Sequence, residues 1–221
     1  MGAAAPTIGV IRVITSDDRD LLDQHGRVLE REFGVRTVTR CLPGQPHGVH
    51  DEATFETARA SMAEVARGLE AEGVGAIVIS CAADPGLPEA RAAVSVPVFG
   101  AGSSGAAIAL ALGGKVGVLG ITAEVPAAVS GLLGERLVAA EVPDGVARTT
   151  ELTTPAGREA ALVAAERLRA AGAEVILFAC TGLTTLALAA PVAEATGLPV
   201  VDAVESAGLL AARFGPPAVH V

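Results

Sequence analysis

The sequence predicts an α/β protein of two similar lobes, each a mostly parallel sheet flanked by helices, with an active cleft between them. Three observations predict it. Short apolar runs rich in β-branched residues alternate with helical stretches along the chain, the pattern of parallel strands covered by helices. "GVGAIVISC" (Gly73–Cys81) lies over "GAEVILFAC" (Gly172–Cys180), each cysteine eight residues after its glycine. Downstream, "VPVFGAGSSGA" pairs with "LPVVDAVESAG", each an X-Pro-Val strand followed by a helix start. Self-similarity of this kind points to a duplicated unit. The expected first lobe is 1–100 plus 203–221, and the second is 101–202.

Each element has a local reason. Ile8-Gly9-Val10-Ile11 with Val13-Ile14 reads as a buried strand, and Asp17-Asp18 opens an amphipathic helix running to about Phe33. Val35–Arg40 is a second strand. The Pro/Gly loop Pro43–Gly48 that follows is long enough to suspect a function. Phe55, Ala58, Met62, Val65 and Leu69 fall at spacings of three and four, one face of a helix. Strand Ala76–Ser80 delivers Cys81, and a short helix near Leu87–Val94 and a strand at Val96–Phe99 close the first half. The second half repeats the pattern with helix Ser103–Leu112, strand Lys115–Leu119, a helix near Val125–Leu137 and a weaker strand near Val146–Thr149. Pro155 suits the first turn of a helix to about Ala171. Strand Val175–Ala179 delivers Cys180, followed by helix Leu183–Ala195, strand Pro199–Val201 and a last helix to Phe214.

Composition narrows the function. The 221 residues are 51% hydrophobic and only 2% aromatic, with no Trp or Tyr, so Ala, Val, Leu and Ile must build the core. A formal charge of −9 without a basic patch argues against nucleic acid. Arg27, Arg31 and Arg36 simply surround a helix end. Three cysteines without a dense framework fit a reducing cytoplasm. Met1–Pro6 carries neither a basic region nor a long apolar run, so no signal peptide is expected, and Pro6 stands where a myristoylation motif wants Ser or Thr. The most apolar stretch, Ala106–Ile121, is interrupted by Gly113, Gly114 and Lys115 and reads as helix, turn and strand. The expected partner is a small-molecule substrate, with no nucleic acid and no membrane; assembly into a homo-oligomer stays open.

The chemistry centres on Cys81 and Cys180. Ligands of open parallel sheets bind beyond the carboxyl ends of the strands. A cysteine at that edge, just before a helix, meets the positive helix N-terminus, which favours thiolate. Two lobes would present one thiol each to a single ligand. That suits removing a proton from one face of a carbon and returning one to the other. The carbon must be acidified by a carbonyl or carboxylate whose developing charge needs donors. Ala82 and Ala83 after Cys81, and Thr181 and Gly182 after Cys180, are placed to supply backbone N–H groups, and Ser103 and Ser104 could add hydroxyls. A lone strand-end cysteine is more often core than catalyst. The matched pair in duplicated contexts outweighs that reading, and Cys41, which has no counterpart, is left structural.

Other constellations compete. Gly100-Ala101-Gly102-Ser103-Ser104-Gly105 is a full G-x-G-x-x-G after a strand, with Glu124 downstream, the pattern of a dinucleotide site. Small residues suit a close crossover equally well, so a nucleotide- or small-molecule-binding module is the alternative from another class. His47, His50, Asp51 and Glu52 cluster in a loop, but no third ligand group accompanies them and a solvated loop is favoured over a metal. No His or Asp pattern beside either cysteine signals an acyl-transfer triad. Arg12 could bind a carboxylate, and a charged residue on an exposed edge is the preferred reading.

At the cysteines the chain resembles the Asp/Glu racemase superfamily. "CAADPGL" (Cys81–Leu87) is similar to the first-cysteine motif of its hydantoin and allantoin racemases, "ACTGL" (Ala179–Leu183) to the second-cysteine segment, and "PVVDAV" (Pro199–Val204) to the strand after it. The resemblance covers nearly the whole chain. It implies a two-lobed, cofactor-independent, metal-free racemase or epimerase with Cys81 and Cys180 as opposed acid and base. Hydantoin racemases carry Asn-Pro-Asn-Thr after the first strand. Here the segment is Arg12-Val13-Ile14-Thr15, matching only at Thr15, so a hydantoin, allantoin or amino-acid-like substrate all remain open. Decarboxylases of the superfamily keep one cysteine and are disfavoured. Cis–trans isomerases keep both, using one as nucleophile, and are the related alternative.

Overall fold

The apolar runs become strands of two parallel sheets. A computed structural model describes residues 6–146, 151–152 and 154–215. Strand β1 (Thr7–Arg12) is buried from Ile8 onward. Helix α1 (Arg19–Phe33) starts at Asp18, whose carboxylate accepts the N–H of Asp20 and Leu21, and stops where Gly34 turns left-handed. Strand β2 (Arg36–Cys41) is followed by α2 (Glu52–Ala71), which opens on a reciprocal capping box between Asp51 and Thr54. Strand β3 (Ala76–Ser80) is buried throughout, and α3 (Leu87–Ala93) and β4 (Val98–Gly100) complete the first sheet, in order β2-β1-β3-β4.

The second sheet repeats that order. Helix α4 (Ala101–Leu112) starts on the residue after β4, two positions earlier than the sequence predicts. Strand β5 (Val116–Leu119), helix α5 (Ala127–Leu133) and a 3-10 turn lead to β6 (Leu137–Glu141). Helix α6 (Pro155–Ala170), capped by Thr154, leads to β7 (Val175–Phe178). Helices α7 (Gly182–Thr185) and α8 (Ala189–Thr196), strand β8 (Val200–Val201) and helix α9 (Ala203–Phe214) follow. The order is β6-β5-β7-β8, and every pairing in both sheets is parallel.

Two expectations need correction. The helix expected to reach Leu137 stops at Leu133, and residues 137–141 form an edge strand instead. "LVAAE" has weak strand propensity and is only half-buried, so pairing with β5 decides its state. The strand expected near Val146–Thr149 lies, beyond Val146, outside the described residues. The single helix expected at Leu183–Ala195 is two, broken where Ala187 takes a left-handed φ of 51°.

Contacts divide the chain into residues up to Ala101 with those from Ala207 on, and Gly102–Ser206. Each unit has its own core. Ile11, Met62, Leu69, Ile77 and Ile79 anchor the first, and Leu119, Leu168, Ile176 and Phe178 the second. Equivalent positions recur 99 residues apart: Leu69 with Leu168, Ile77 with Ile176, Cys81 with Cys180. Gly9 and Gly117 pair with Ile77 and Ile176 respectively. A Cβ at Gly9 would come within 2.9 Å of Leu69, and one at Gly117 within 2.8 Å of Ala173 and 3.1 Å of Leu168. Each central strand thus lets its covering helix approach because the side chain is missing there. Among the described residues no helix is long and apolar enough to cross a membrane.

Candidate active site

In a 2-1-3-4 sheet the connections leave in opposite directions from the central pair of strands, which opens a crevice at their carboxyl ends. Those pairs are β1 with β3 and β5 with β7. Cys81 directly follows β3, and Cys180 stands two residues past β7, after Ala179 N–H has bonded Leu119 O at 2.8 Å. Both begin a reverse turn closed by the same bond: Asp84 N–H to Cys81 O and Leu183 N–H to Cys180 O, each 3.1 Å. Both are buried, at 8% and 7% exposure, and none of the three cysteines forms a disulfide.

The immediate neighbour of each thiol is therefore a turn. Helix α3 begins at Leu87, six positions past Cys81, and α7 is a single turn beginning two past Cys180. Helix α3 starts at Leu87 as the sequence predicts, but the Asp84-Pro85-Gly86 turn, in which Asp84 and Gly86 have φ of 51° and 69°, stands between it and Cys81. The turn leaves donors instead. Among the described residues the N–H groups of Ala82 and Ala83 in the first lobe, and of Gly182 in the second, have no protein acceptor. Thr181 adjoins Gly182 in the second lobe.

The other predicted residues occupy varied settings. Thr15 lies just past β1, but its hydroxyl donates to Leu42 O (2.5 Å) and accepts Gln45 N–H (2.7 Å), tying down the Pro43–Gly48 loop. Ser103 and Ser104 sit in the first turn of α4. The G-x-G-x-x-G pattern runs straight from β4 into that helix, and two of its glycines meet neighbouring side chains: a Cβ at Gly100 would overlap Asp84, and one at Gly105 would meet Leu177 at 2.8 Å. In the His47–Glu52 segment, Asp51 caps α2 and the His50 ring lies 3.1 Å from Gly48 O. No metal-binding group of three or more His, Cys, Asp or Glu occurs among the described residues. Cys41 ends β2 and lines a surface hollow of about 310 Å³ with Arg40, Ser61 and Glu72.

Arg12 is not on an exposed edge. It is buried at the carboxyl end of β1, its Nη1 donating to Leu21 O (2.9 Å) and Leu22 O (3.1 Å). Burial pushes the guanidinium down to about 10 against the pull of Asp23, so it stays charged at neutral pH.

Sequence reasoning missed three polar residues near the cysteines. His25 is fully buried, with Nδ1 2.5 Å from the Oγ of Ser80, the residue before Cys81. The signal was available, because His25 falls on the buried stripe Leu22, Gly26, Leu29 of α1. Asp84 is buried against Gly100, where an added Cβ would overlap its carboxylate. Asp202 is buried at the end of β8 and accepts Thr184 Oγ1 (2.9 Å), Val204 N–H (2.8 Å) and Glu205 N–H (3.1 Å). Burial holds its carboxyl above the usual range, and the three donors oppose that shift.

The fold is that of the two-lobed α/β racemases. An allantoin racemase from Klebsiella pneumoniae superposes with a TM-score of 0.82 at 22% identity, covering 97% of this chain and 91% of that one. An allantoin racemase from Pseudomonas fluorescens gives 0.79 at 22% identity, covering 97% and 94%. A glutamate racemase from Thermus thermophilus gives 0.66 at 22% identity, covering 96% and 81%. No curated protein matches the chain in sequence. The profile of the Asp/Glu/hydantoin racemase family matches residues 27–210, and the chain belongs to that family, as an isomerase of its type.

Proposed function

We propose that the protein is a cofactor-independent racemase or epimerase in which Cys81 and Cys180 exchange protons with opposite faces of one substrate carbon. The observation that carries this reading is the equivalence of the two cysteines, each opening the same 3.1 Å turn after the same strand of an identically ordered sheet. One thiolate takes the hydrogen: the C–H bond breaks, an S–H bond forms, and the electron pair moves onto the adjacent carbonyl oxygen. The N–H groups of Ala82, Ala83 and Gly182, with Thr181, Ser103 and Ser104, are the candidate donors to that oxygen. The second thiol then gives its proton to the opposite face, and the enolate collapses. The substrate class is a hydantoin, allantoin or amino-acid-like molecule with a stereocentre next to a carbonyl or carboxylate.

Proton NMR in deuterated water tests the reading. Cys81→Ser and Cys180→Ser should each lower inversion by about a thousandfold or more, because a serine hydroxyl is a far weaker acid than a thiol. Each variant should still exchange the α-hydrogen of one enantiomer, and the two should choose opposite ones. Cys41→Ser should behave as wild type. If both variants exchanged the same enantiomer, or Cys41→Ser were the inactive one, the opposed-thiol mechanism would be wrong. Chelator-treated protein stripped of small molecules should keep full activity; revival of a dead preparation by zinc or a nucleotide would refute cofactor independence.

A further inference from the structure

Each lobe buries one carboxylate between the turn that carries its cysteine and the end of the neighbouring strand, but the two come from opposite sides. In the first lobe the carboxylate belongs to the turn. Asp84 is its fourth residue, bonded through N–H to Cys81 O, and its side chain lies over Gly100, the last residue of β4. In the second lobe it belongs to the strand end. Asp202 directly follows β8 and takes the hydroxyl of Thr184, one residue past the turn begun by Cys180. The repeat aligns Gly100 with Asp202 and Asp84 with Leu183. The lobe with a strand-end carboxylate has none in its turn, and the lobe with a turn carboxylate has glycine at the strand end.

We propose that Asp84 and Asp202 are equivalent positioning residues, each locking the turn of its lobe's cysteine to the adjacent strand end. Two local facts fit the exchange of sides. Asp84 is a non-glycine residue in the left-handed region, a conformation Asp tolerates better than most, so the turn accepts local strain to bring the carboxylate in. Gly100 has no left-handed φ that would require glycine; what excludes a side chain there is the carboxylate itself. The inference rests on the two-thiol reading for its catalytic meaning, while the lock itself is a property of each turn.

Moving the carboxylate tests it. Asp84→Gly empties the space over residue 100 and suits the left-handed backbone, and Gly100→Asp added to it supplies a carboxylate from the strand end, as in the second lobe. Iodoacetamide labelling of each cysteine, followed by peptide mass spectrometry, reads each turn without any substrate. Asp84→Gly should change the Cys81 rate about fivefold or more with Cys180 within about twofold, and Asp202→Asn should do the reverse. The Gly100→Asp/Asp84→Gly double variant should bring Cys81 back to within about twofold of wild type. With substrate, Asp84→Gly should slow exchange of the enantiomer served by Cys81 by about ten- to a hundredfold, the scale of a small misplacement of a reacting group, and spare the other enantiomer. Should Asp84→Gly not fold, Asp84→Asn carries the same cysteine-selective expectation. The proposal is overturned if both cysteines respond alike to each variant, or if Gly100→Asp deepens the Asp84→Gly defect. Absent racemisation with the labelling pattern intact refutes the two-thiol reading alone, and a lost pattern with intact racemisation refutes the lock alone.

Discussion

The two lobes share strand order, cysteine register and a glycine under the covering helix, yet beneath the cysteines they differ. The first lobe buries Arg12, His25 and Ser80 at its carboxyl edge, linked by bonds to the first turns of α1 and across to β3. At the places of Arg12 and Ser80 the second lobe has Gly120 and Ala179. Strand order and the cysteine turn recur, while the buried polar residues behind them stand at different positions in the two lobes. The residue before each cysteine is thus a hydrogen-bonded serine in the first lobe and an alanine in the second, where the buried polar pair is Thr184 with Asp202 instead.

Substitutions can break or sharpen this comparison. The largest stability effect is expected at the paired glycines. At Gly117 a methyl group meets the Cβ atoms of Ala173 and Leu168, which cannot rotate away, whereas at Gly9 its first contact is the mobile Cδ1 of Leu69. Gly117→Ala should cost about 3 kcal/mol and Gly9→Ala about 1 kcal/mol, read from urea unfolding. Equal costs would mean the two helices are seated alike.

Next comes the polar layer. Ser80→Ala removes the partner that His25 Nδ1 meets in a fully buried place, and should cost about 1–3 kcal/mol in the same measurement. An unchanged midpoint would show that the imidazole is satisfied without Ser80.

A smaller effect concerns pH. Because burial raises the Asp202 carboxyl in the folded state, the unfolded chain ionises first as pH climbs past its ordinary value of 3.8. Asp202 therefore lowers stability progressively from there up to its folded pKa, and contributes no slope below or above that window. Asp202→Asn should flatten this part of the stability profile, and an identical profile in the variant would contradict the sign. The smallest effect is at the rim. Arg167 of α6 pairs with Glu141 of β6 (2.6 Å) while partly exposed, so Glu141→Gln should cost about 0.5 kcal/mol or less and fade in salt. A cost persisting in high salt would mean that the pair is shielded from solvent.

Much of this was legible in the sequence, for identifiable reasons. Ala76–Ser80 and Val175–Phe178 could be read as strands because parallel strands buried on both faces are continuous apolar runs. The matched cysteines followed from the repeat itself. The edge strand at Leu137–Glu141 was not legible, since an edge strand needs no strong pattern when its partner supplies the register. Asp84 belongs to the CAADPGL motif, but its packing against Gly100, sixteen residues away and one strand over, is a contact no local spacing encodes. Arg12 was misread because a charged residue at a strand end resembles surface until the carbonyls of Leu21 and Leu22 are found above it.

Helix α9 belongs to both units, with its later half packed on the first: a Cβ at Gly208 would overlap Leu29, and one at Gly215 would come within 3.0 Å of Ala76. The second unit is one contiguous stretch from Gly102 to Ser206, whereas the first is assembled from two separated segments. The lobe made first must wait for the residues from Ala207 on before its surface over Leu29 is covered. The lobe that begins first along the chain is thus the one whose residues are complete last.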